Sequence, residues 1–375
     1  MIVAGEASGD LHGGNLVQEM RRIDPRLTFV GVGGERMKAA GVNLVADVAD
    51  MAVVGLTEVV FKLTKILKVM RRLKDILRND PPELVILIDY PDFNFPIARS
   101  AHQRRIPVLY YISPQLWAWR KRRISTIRRF VDRMAVILPF EESFYRQCGV
   151  EVTFVGHPLL DEVKTHDEGQ REVLKRLGFK EETTTIALLP GSRPTEVTRL
   201  LPEMLGACRI LMGELSPLQF VLPLAGTLNA SVVHNILRQF PVPVKIVQEG
   251  RYEAIALADT AIVASGTATL ETALLGTPMV VVYRLSGLSH AVGRRCIKVK
   301  YISLVNLIAG QAIVPELIQE EANSQRIAAE VRDLIVGQEK ARDMKVSLAK
   351  LREKLGDPGA SQRTARIACE MMHRA

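Results

Sequence analysis

Residues 84–96 read LVILIDYPDFNFP: five apolar residues, Leu84 to Ile88, then Asp89 and Asp92 three positions apart, then Phe93, Asn94, Phe95 and Pro96. A run that is apolar at every position rather than at alternate ones is a strand covered on both faces, and such strands belong to parallel sheets. Ligands bind outside the carboxyl ends of such strands, so the acids closing this run stand where chemistry is expected.

The same pattern recurs outward. LTFVGV (27–32), ELVILI (83–88), PVLYYI (107–112) and RMAVIL (133–138) precede a polar segment at 158–183, and TIALLP (185–190), LQFVLPLA (218–225), VPVKIV (242–247), DTAIVAS (259–265) and TPMVVVY (277–283) follow it. Helical stretches lie between these runs, so the fold class is α/β with two doubly wound parallel sheets in tandem. The linker is expected around Pro158 to Thr165. After Pro315 the strands are expected to stop, leaving helices over 323–355 and 361–372. The domains expected are 1–162, 163–340 and a helical tail, 341–375, packing back on the first.

A chain of 375 residues with 47% hydrophobic and 24% charged residues is globular and long enough for two cores. Cys148, Cys208, Cys296 and Cys369 form no CxxC pair, so neither zinc nor a disulfide framework is expected, and a reducing compartment fits. MIVAGEASGD lacks the basic and apolar regions of a signal peptide, and no run reaches membrane-span length, so the protein is expected to be neither exported nor integral. The net charge of +9 favours an anionic partner without choosing among phosphorylated substrate, phospholipid and nucleic acid.

Three loops carry candidate chemistry. GEASGD (5–10) turns from a short strand into a helix that Ser8 or Asp10 can cap, and Glu6 is expected to face a cleft. In LLPGSRPTEV (188–197), Gly191 and Ser192 make the turn, Pro194 starts a helix, and Arg193 offers a fork of donors to a diphosphate. In ASGTATLE (264–271), Ser265, Gly266 and Thr267 set a helix N-terminus at a second anion seat, and Glu271, one turn on, could accept both hydroxyls of a ribose. Asn306, in YISLVNLIAG, must be hydrogen-bonded if buried, and capping its own loop is an equal reading. Neither GxGxxG with its acid nor GxxxxGK[ST] is present, which weakens dinucleotide and P-loop readings.

Two basic segments suit a membrane surface. Residues 56–77 line up Val59, Val60, Leu63, Ile66, Leu67, Met70, Leu73 and Leu77 on one stripe of a helix whose remaining positions are rich in lysine and arginine. Residues 117–129 set Trp117 and Trp119 beside Arg120, Lys121 and further arginines. A helix covering a sheet would show the same stripe. Aromatic residues are 5% of the chain and no nucleic-acid motif is recognised, so no nucleic acid is expected.

The ordered set GEASGD, IDYPDFN, SPQLWAWR, VGHP, LPGSR and ASGTATLE resembles the lipid-A-disaccharide synthase family, and the likeness runs to the tail. The resemblance implies a GT-B architecture of two facing Rossmann-like domains. It implies transfer of 2,3-diacylglucosamine from UDP-2,3-diacylglucosamine to 2,3-diacylglucosamine 1-phosphate, releasing UDP, at the cytoplasmic face of the inner membrane. It also implies Asp89 as catalytic acid–base with Glu6 beside it, and Arg193, Glu271 and Asn306 on the UDP-sugar with Gly191, Ser192, Ser265, Gly266 and Thr267. Ser8, Asp10, Asp92 and Asn94 go with the acceptor, Asp92 alternatively capping the next helix. No cofactor or metal is expected, and a homodimer is left open. One departure is that only four residues precede GEASGD, so the first strand should be short. A UDP-sugar epimerase on the same scaffold and a non-catalytic basic lipid-binding protein are the alternatives.

Overall fold

The computed structural model describes residues 1–48, 59–119, 121–163, 170–226, 228–284 and 300–373. The chain divides into two compact units, Met1–Asp161 with Leu355–Ala375, and Glu162–Lys354. Among the described residues each unit has one sheet, and all its pairings are parallel.

In the first unit the strands are β1 (Ile2–Ala4), β2 (Phe29–Gly33), β3 (Val42–Asp47), β4 (Val85–Ile88), β5 (Val108–Tyr111), β6 (Arg133–Val136) and β7 (Val152–Phe154). They lie in the order β3-β2-β1-β4-β5-β6-β7. β1 has only three residues, yet it is central: Ile2 pairs with Gly31 on one side, and Ile2, Val3 and Ala4 pair with Ile86, Leu87 and Ile88 on the other. The continuous apolar runs are explained by two cores, one on each face. Val85, Leu87, Val108 and Tyr110 point into a cluster with Leu73, Leu77 and Phe93. Ile86, Ile88, Leu109 and Tyr111 point into another with Leu16, Val17, Met20 and Ile367. The last helix, Ala360–His373, packs on the first, Ala7–Ile23.

The second unit holds β8 (Thr184–Leu189), β9 (Leu218–Pro223), β10 (Val244–Val247), β11 (Thr260–Ala264), β12 (Met279–Tyr283) and β13 (Glu316–Ile318), in the order β10-β9-β8-β11-β12-β13. β13 corrects the expectation that strands stop at Pro315. Glu-Leu-Ile is too short to stand out, and it extends only because β12 offers it a free edge through Val281, Val282 and Tyr283. β3 and β7 were likewise not anticipated, being a sheet edge with one buried position and a three-residue strand. The helical tail breaks at Gly337 into Ser324–Val336 and Gln338–Lys354. The second of these packs within the second unit, so the returning segment starts at Leu355, later than position 341.

The basic helix spans Val59–Asn79. Leu73 and Leu77 are fully buried and Val69 nearly so, while Ile66 and Met70 pack partly buried against the same core. That half of the stripe covers the sheet, which corrects the membrane reading of Met70. Leu67 alone among the described positions of the stripe is exposed, at 50%, beside exposed Lys65, Lys68, Arg71 and Arg72. The side chains of Val59, Val60, Leu63, Trp119 and Lys121, and all of Arg120, lie outside the described residues. Trp117 is also corrected: it is buried, and its indole N–H donates to Glu141 at 3.0 Å.

Candidate active site

Both sheets reverse strand order at their centre, between β1 and β4 in the first and between β8 and β11 in the second. The crevice outside the carboxyl ends at such a reversal is where open α/β sheets bind ligands. GEASGD follows β1 and DYPDFN follows β4, while PGSR follows β8 and SGT follows β11. The candidate residues therefore fall into two clusters, each at the reversal of its own sheet.

In the first cluster Glu6 is the exposed N-cap residue of helix Ala7–Ile23, with no side-chain capping bond. Asp89 leaves β4 with φ of +43° and Tyr90 follows at +45°, a pair of left-handed residues without a glycine. Such backbone is disfavoured by about 1–2 kcal/mol per residue and marks sites where surrounding structure holds the chain. Burial, reinforced by the charge of Glu6, raises the Asp89 carboxyl to about 6, against the opposing hydrogen bond from the Tyr90 backbone. A carboxyl that titrates near this value is mostly ionised at neutral pH yet more basic than an ordinary carboxylate, which suits a general base.

Three assignments on these loops are corrected. Asp10 does not cap its own helix: it is 6% exposed, and its carboxylate accepts from the backbone N–H groups of Gly34, Arg36 and Met37 at 2.6–3.0 Å, fixing the start of helix Glu35–Ala39. Asn94 is fully buried, and its amide donates to the carbonyls of Ile88 and Asp89 at 3.2 and 2.7 Å, so it faces the loop's backbone and not an acceptor. Asp92 is not a cap, because helix Pro91–His102 begins before it with Tyr90 at the N-cap; its exposed carboxylate pairs with Arg123. Ser8 lies exposed in the first turn of the first helix.

In the second cluster Gly191 takes φ of +112° and Arg193 is the N-cap residue of helix Pro194–Glu214, with Pro194 in the first turn. The Arg193 side chain is 68% exposed, and its contact with Glu196, at 3.4 Å, is long. Gly266, at φ +154° and ψ −159°, opens helix Thr267–Leu274 in a conformation close to glycine-only. Among the described residues nothing lies within 4 Å of a Cβ built there. Ser265 donates to the Ile302 carbonyl at 3.3 Å.

Glu271 is 6% exposed and ion-paired with Arg251. Burial raises its carboxyl, and Arg251 and the Tyr252 hydroxyl oppose the shift. Asn306 is 1% exposed with every hydrogen-bonding group engaged: its amide donates to the Val314 carbonyl and to Glu316, and its oxygen accepts from Ile313 and Val314 N–H, all at 2.8–3.0 Å. Direct UDP contact by Asn306 is therefore corrected to a loop clamp centred on Glu316, which also accepts from Ile302 N–H and from Ser303.

Sequence reasoning missed Tyr90, Arg251 and Glu316. Arg251 follows a glycine after β10, which hints at a loop residue, but no local pattern ties it to Glu271 twenty positions on. No group of three or more candidate metal ligands occurs among the described residues.

The profile of the family described as lipid-A-disaccharide synthetase matches residues 1–371. A lipid-A-disaccharide synthase of Syntrophus aciditrophicus is 54% identical over 376 residues, covering 100% of this chain and 98% of the relative. One from Geobacter sulfurreducens is 45% identical over 372 residues, covering 99% and 97%. Among solved structures, the UDP-GlcNAc 2-epimerase of Neisseria meningitidis bound to UDP-GlcNAc matches with a TM-score of 0.64 at 13% identity, over 100% of this chain and 99% of that one. MurG of Acinetobacter baumannii matches at 0.57 and 14%, over 99% and 98%. These structural likenesses show the fold, two Rossmann-like parallel sheets in one chain, as in the GT-B class. Matched over nearly its whole length by the family profile and by such relatives, the chain belongs to the lipid-A-disaccharide synthase family.

Proposed function

We propose that the protein transfers 2,3-diacylglucosamine from UDP-2,3-diacylglucosamine to 2,3-diacylglucosamine 1-phosphate, forming the lipid A disaccharide 1-phosphate and UDP. The acceptor's 6-hydroxyl attacks the anomeric carbon, the bond to UDP breaks on the opposite face, and one base takes the hydroxyl proton. Asp89 is that base, its carboxyl raised into a useful range by burial and, to a lesser degree, by the charge of Glu6. Inversion needs no second carboxylate as nucleophile. The leaving diphosphate is met by Arg193 and by the helix N-terminus at Gly266 and Thr267, and the ribose by the Glu271–Arg251 pair.

The observation that carries this reading is the placement of the Asp89 and Arg193 loops at the reversal of strand order in their respective sheets. The lipid substrates favour docking at an anionic membrane surface, for which exposed Leu67 amid Lys65, Lys68, Arg71 and Arg72 is the supporting feature. No helix among the described residues is long and apolar enough to cross a membrane.

The test is UDP release from the diacylated donor with and without lipid acceptor, for the parent protein and for Asp89→Asn. Release that depends on acceptor and disappears in Asp89→Asn, with UDP still bound, supports the assignment; an active Asp89→Asn protein sinks it. Conversion of a soluble UDP-sugar without acceptor would favour the epimerase reading instead.

A further inference from the structure

We infer that Tyr110 and Asn94 are positioning residues for the base: together they fix the main-chain carbonyl of Asp89 and so the direction in which its carboxylate leaves the sheet. This rests on the reading of Asp89 as the base.

Asp89 ends its strand in a left-handed conformation, which turns its carbonyl out of the ladder that β4 makes with β5. Its N–H still reaches the neighbouring strand, at 3.3 Å from the Tyr111 carbonyl and 3.2 Å from that of Ile112. The carbonyl instead receives two side-chain donors, the Tyr110 hydroxyl at 2.6 Å and the Asn94 amide at 2.7 Å. They come from different elements, Tyr110 from β5 and Asn94 from the first turns of helix Pro91–His102. The carbonyl is thus fixed from two sides.

Both donors are fully buried, and the Tyr110 ring sits in the apolar cluster with Phe95, Leu87 and Val108. Packing alone would be served by phenylalanine, and a buried hydroxyl in an apolar cluster is costly without a partner. The hydroxyl that is kept points at the carbonyl of the one residue whose carboxylate the reaction uses. Helix Pro91–His102 starts from a positive-φ N-cap residue with no side-chain capping bond, and the Asn94 amide pins this turn to Ile88 and Asp89.

The experiment is Tyr110→Phe, which keeps the ring and removes one donor. Expected is a fall of about tenfold or more in kcat with donor KM unchanged, because a small misplacement of a reacting group is amplified in rate. The acid limb of the pH–rate profile should also move down from near 6, because a relaxed loop lets water reach a carboxyl now raised by burial. A folded Tyr110→Phe with parental kcat and an unmoved limb overturns the inference, even if its melting temperature drops. Should Tyr110→Phe not fold, Asn94→Ala applies the same test to the other donor, and loss of the fold in both makes the pair structural and overturns it too. Asp89→Asn is run alongside. If it stays active, the base assignment fails; if it is dead while Tyr110→Phe is parental, only this inference fails.

Discussion

The side chain that Gly5 lacks is replaced by the ring of Tyr90: a Cβ at Gly5 would stand 2.1 Å from the Tyr90 Cδ1 and 2.2 Å from its Cγ. Gly5 precedes Glu6 on the loop after β1, and Tyr90 follows Asp89 on the loop after β4, so this contact sets the two acids beside each other. The glycine is required by contact, since its φ is not in the left-handed region.

Gly5→Ala should therefore push Tyr90 off Gly5 and disturb Asp89. Overpacking of this kind costs about 1–3 kcal/mol, and the shift of Asp89 should lower turnover by roughly ten- to a hundredfold. Thermal unfolding and UDP release on the same preparation check it. Parental values in both would show that the ring moves aside at no cost.

The burial of Glu141, the partner of Trp117, gives a pH-dependent stability. Glu141 is 1% exposed, and burial raises its carboxyl from 4.5 to about 7, against hydrogen bonds from Trp117, Ser113 and the backbone. The folded state thus holds this proton more tightly than the unfolded chain. Its contribution is greatest below about 4.5, declines as pH rises to about 7 and is flat above. Glu141→Gln removes that decline, so the parent-minus-variant stability should fall by up to about 3 kcal/mol between pH 4.5 and 8. Denaturant unfolding followed by tryptophan fluorescence reports it, and a difference that does not change with pH would refute it.

The same pair shows why part of the site was hidden in the sequence. Strands such as Val85–Ile88 declare themselves because burial on both faces demands a continuous apolar run. Glycine turns and helix starts such as Gly191 to Pro194 are local chemistry and were equally legible. Trp117 beside arginines reads as an interfacial aromatic until its partner is known, and Glu141 lies 24 positions away. Asp10 likewise finds its amides 24 to 27 residues on, and Asn306 its clamp on an unanticipated strand. Polar residues that serve long-range backbone groups look the same in sequence as those that serve ligands.

Glu6 and Asp89 can be separated by pH. With Asp89 as base, kcat/KM should fall as pH drops through about 6, where the carboxyl of the free enzyme takes up its proton. Glu6→Gln removes one contributor to that raised value, so the limb should move to lower pH. It should stop short of the ordinary 3.8, because burial is the larger cause and remains. A normalised pH–rate profile that is unchanged in Glu6→Gln would remove Glu6 from this role.

Arg193 and Asn306 should fail by different routes, only the second through lost stability. Arg193 is mostly exposed with one long ion-pair contact, so Arg193→Ala should leave stability within about 0.5 kcal/mol. It should weaken UDP binding by roughly ten- to a hundredfold, the worth of a charge-assisted hydrogen bond to phosphate. Asn306→Ala instead strands the N–H groups of Ile313 and Val314, the Val314 carbonyl and part of the Glu316 carboxylate. The buried Val314 N–H and carbonyl alone cost about 1–3 kcal/mol each when unsatisfied, so a loss of at least about 2 kcal/mol is expected, with UDP affinity falling because the loop at 302–303 loosens. Calorimetric UDP titration and thermal unfolding of both variants in one buffer make the comparison. An Asn306→Ala protein that keeps full stability but loses UDP binding would restore Asn306 as a direct ligand, and parental UDP affinity in Arg193→Ala would end its role as the diphosphate contact.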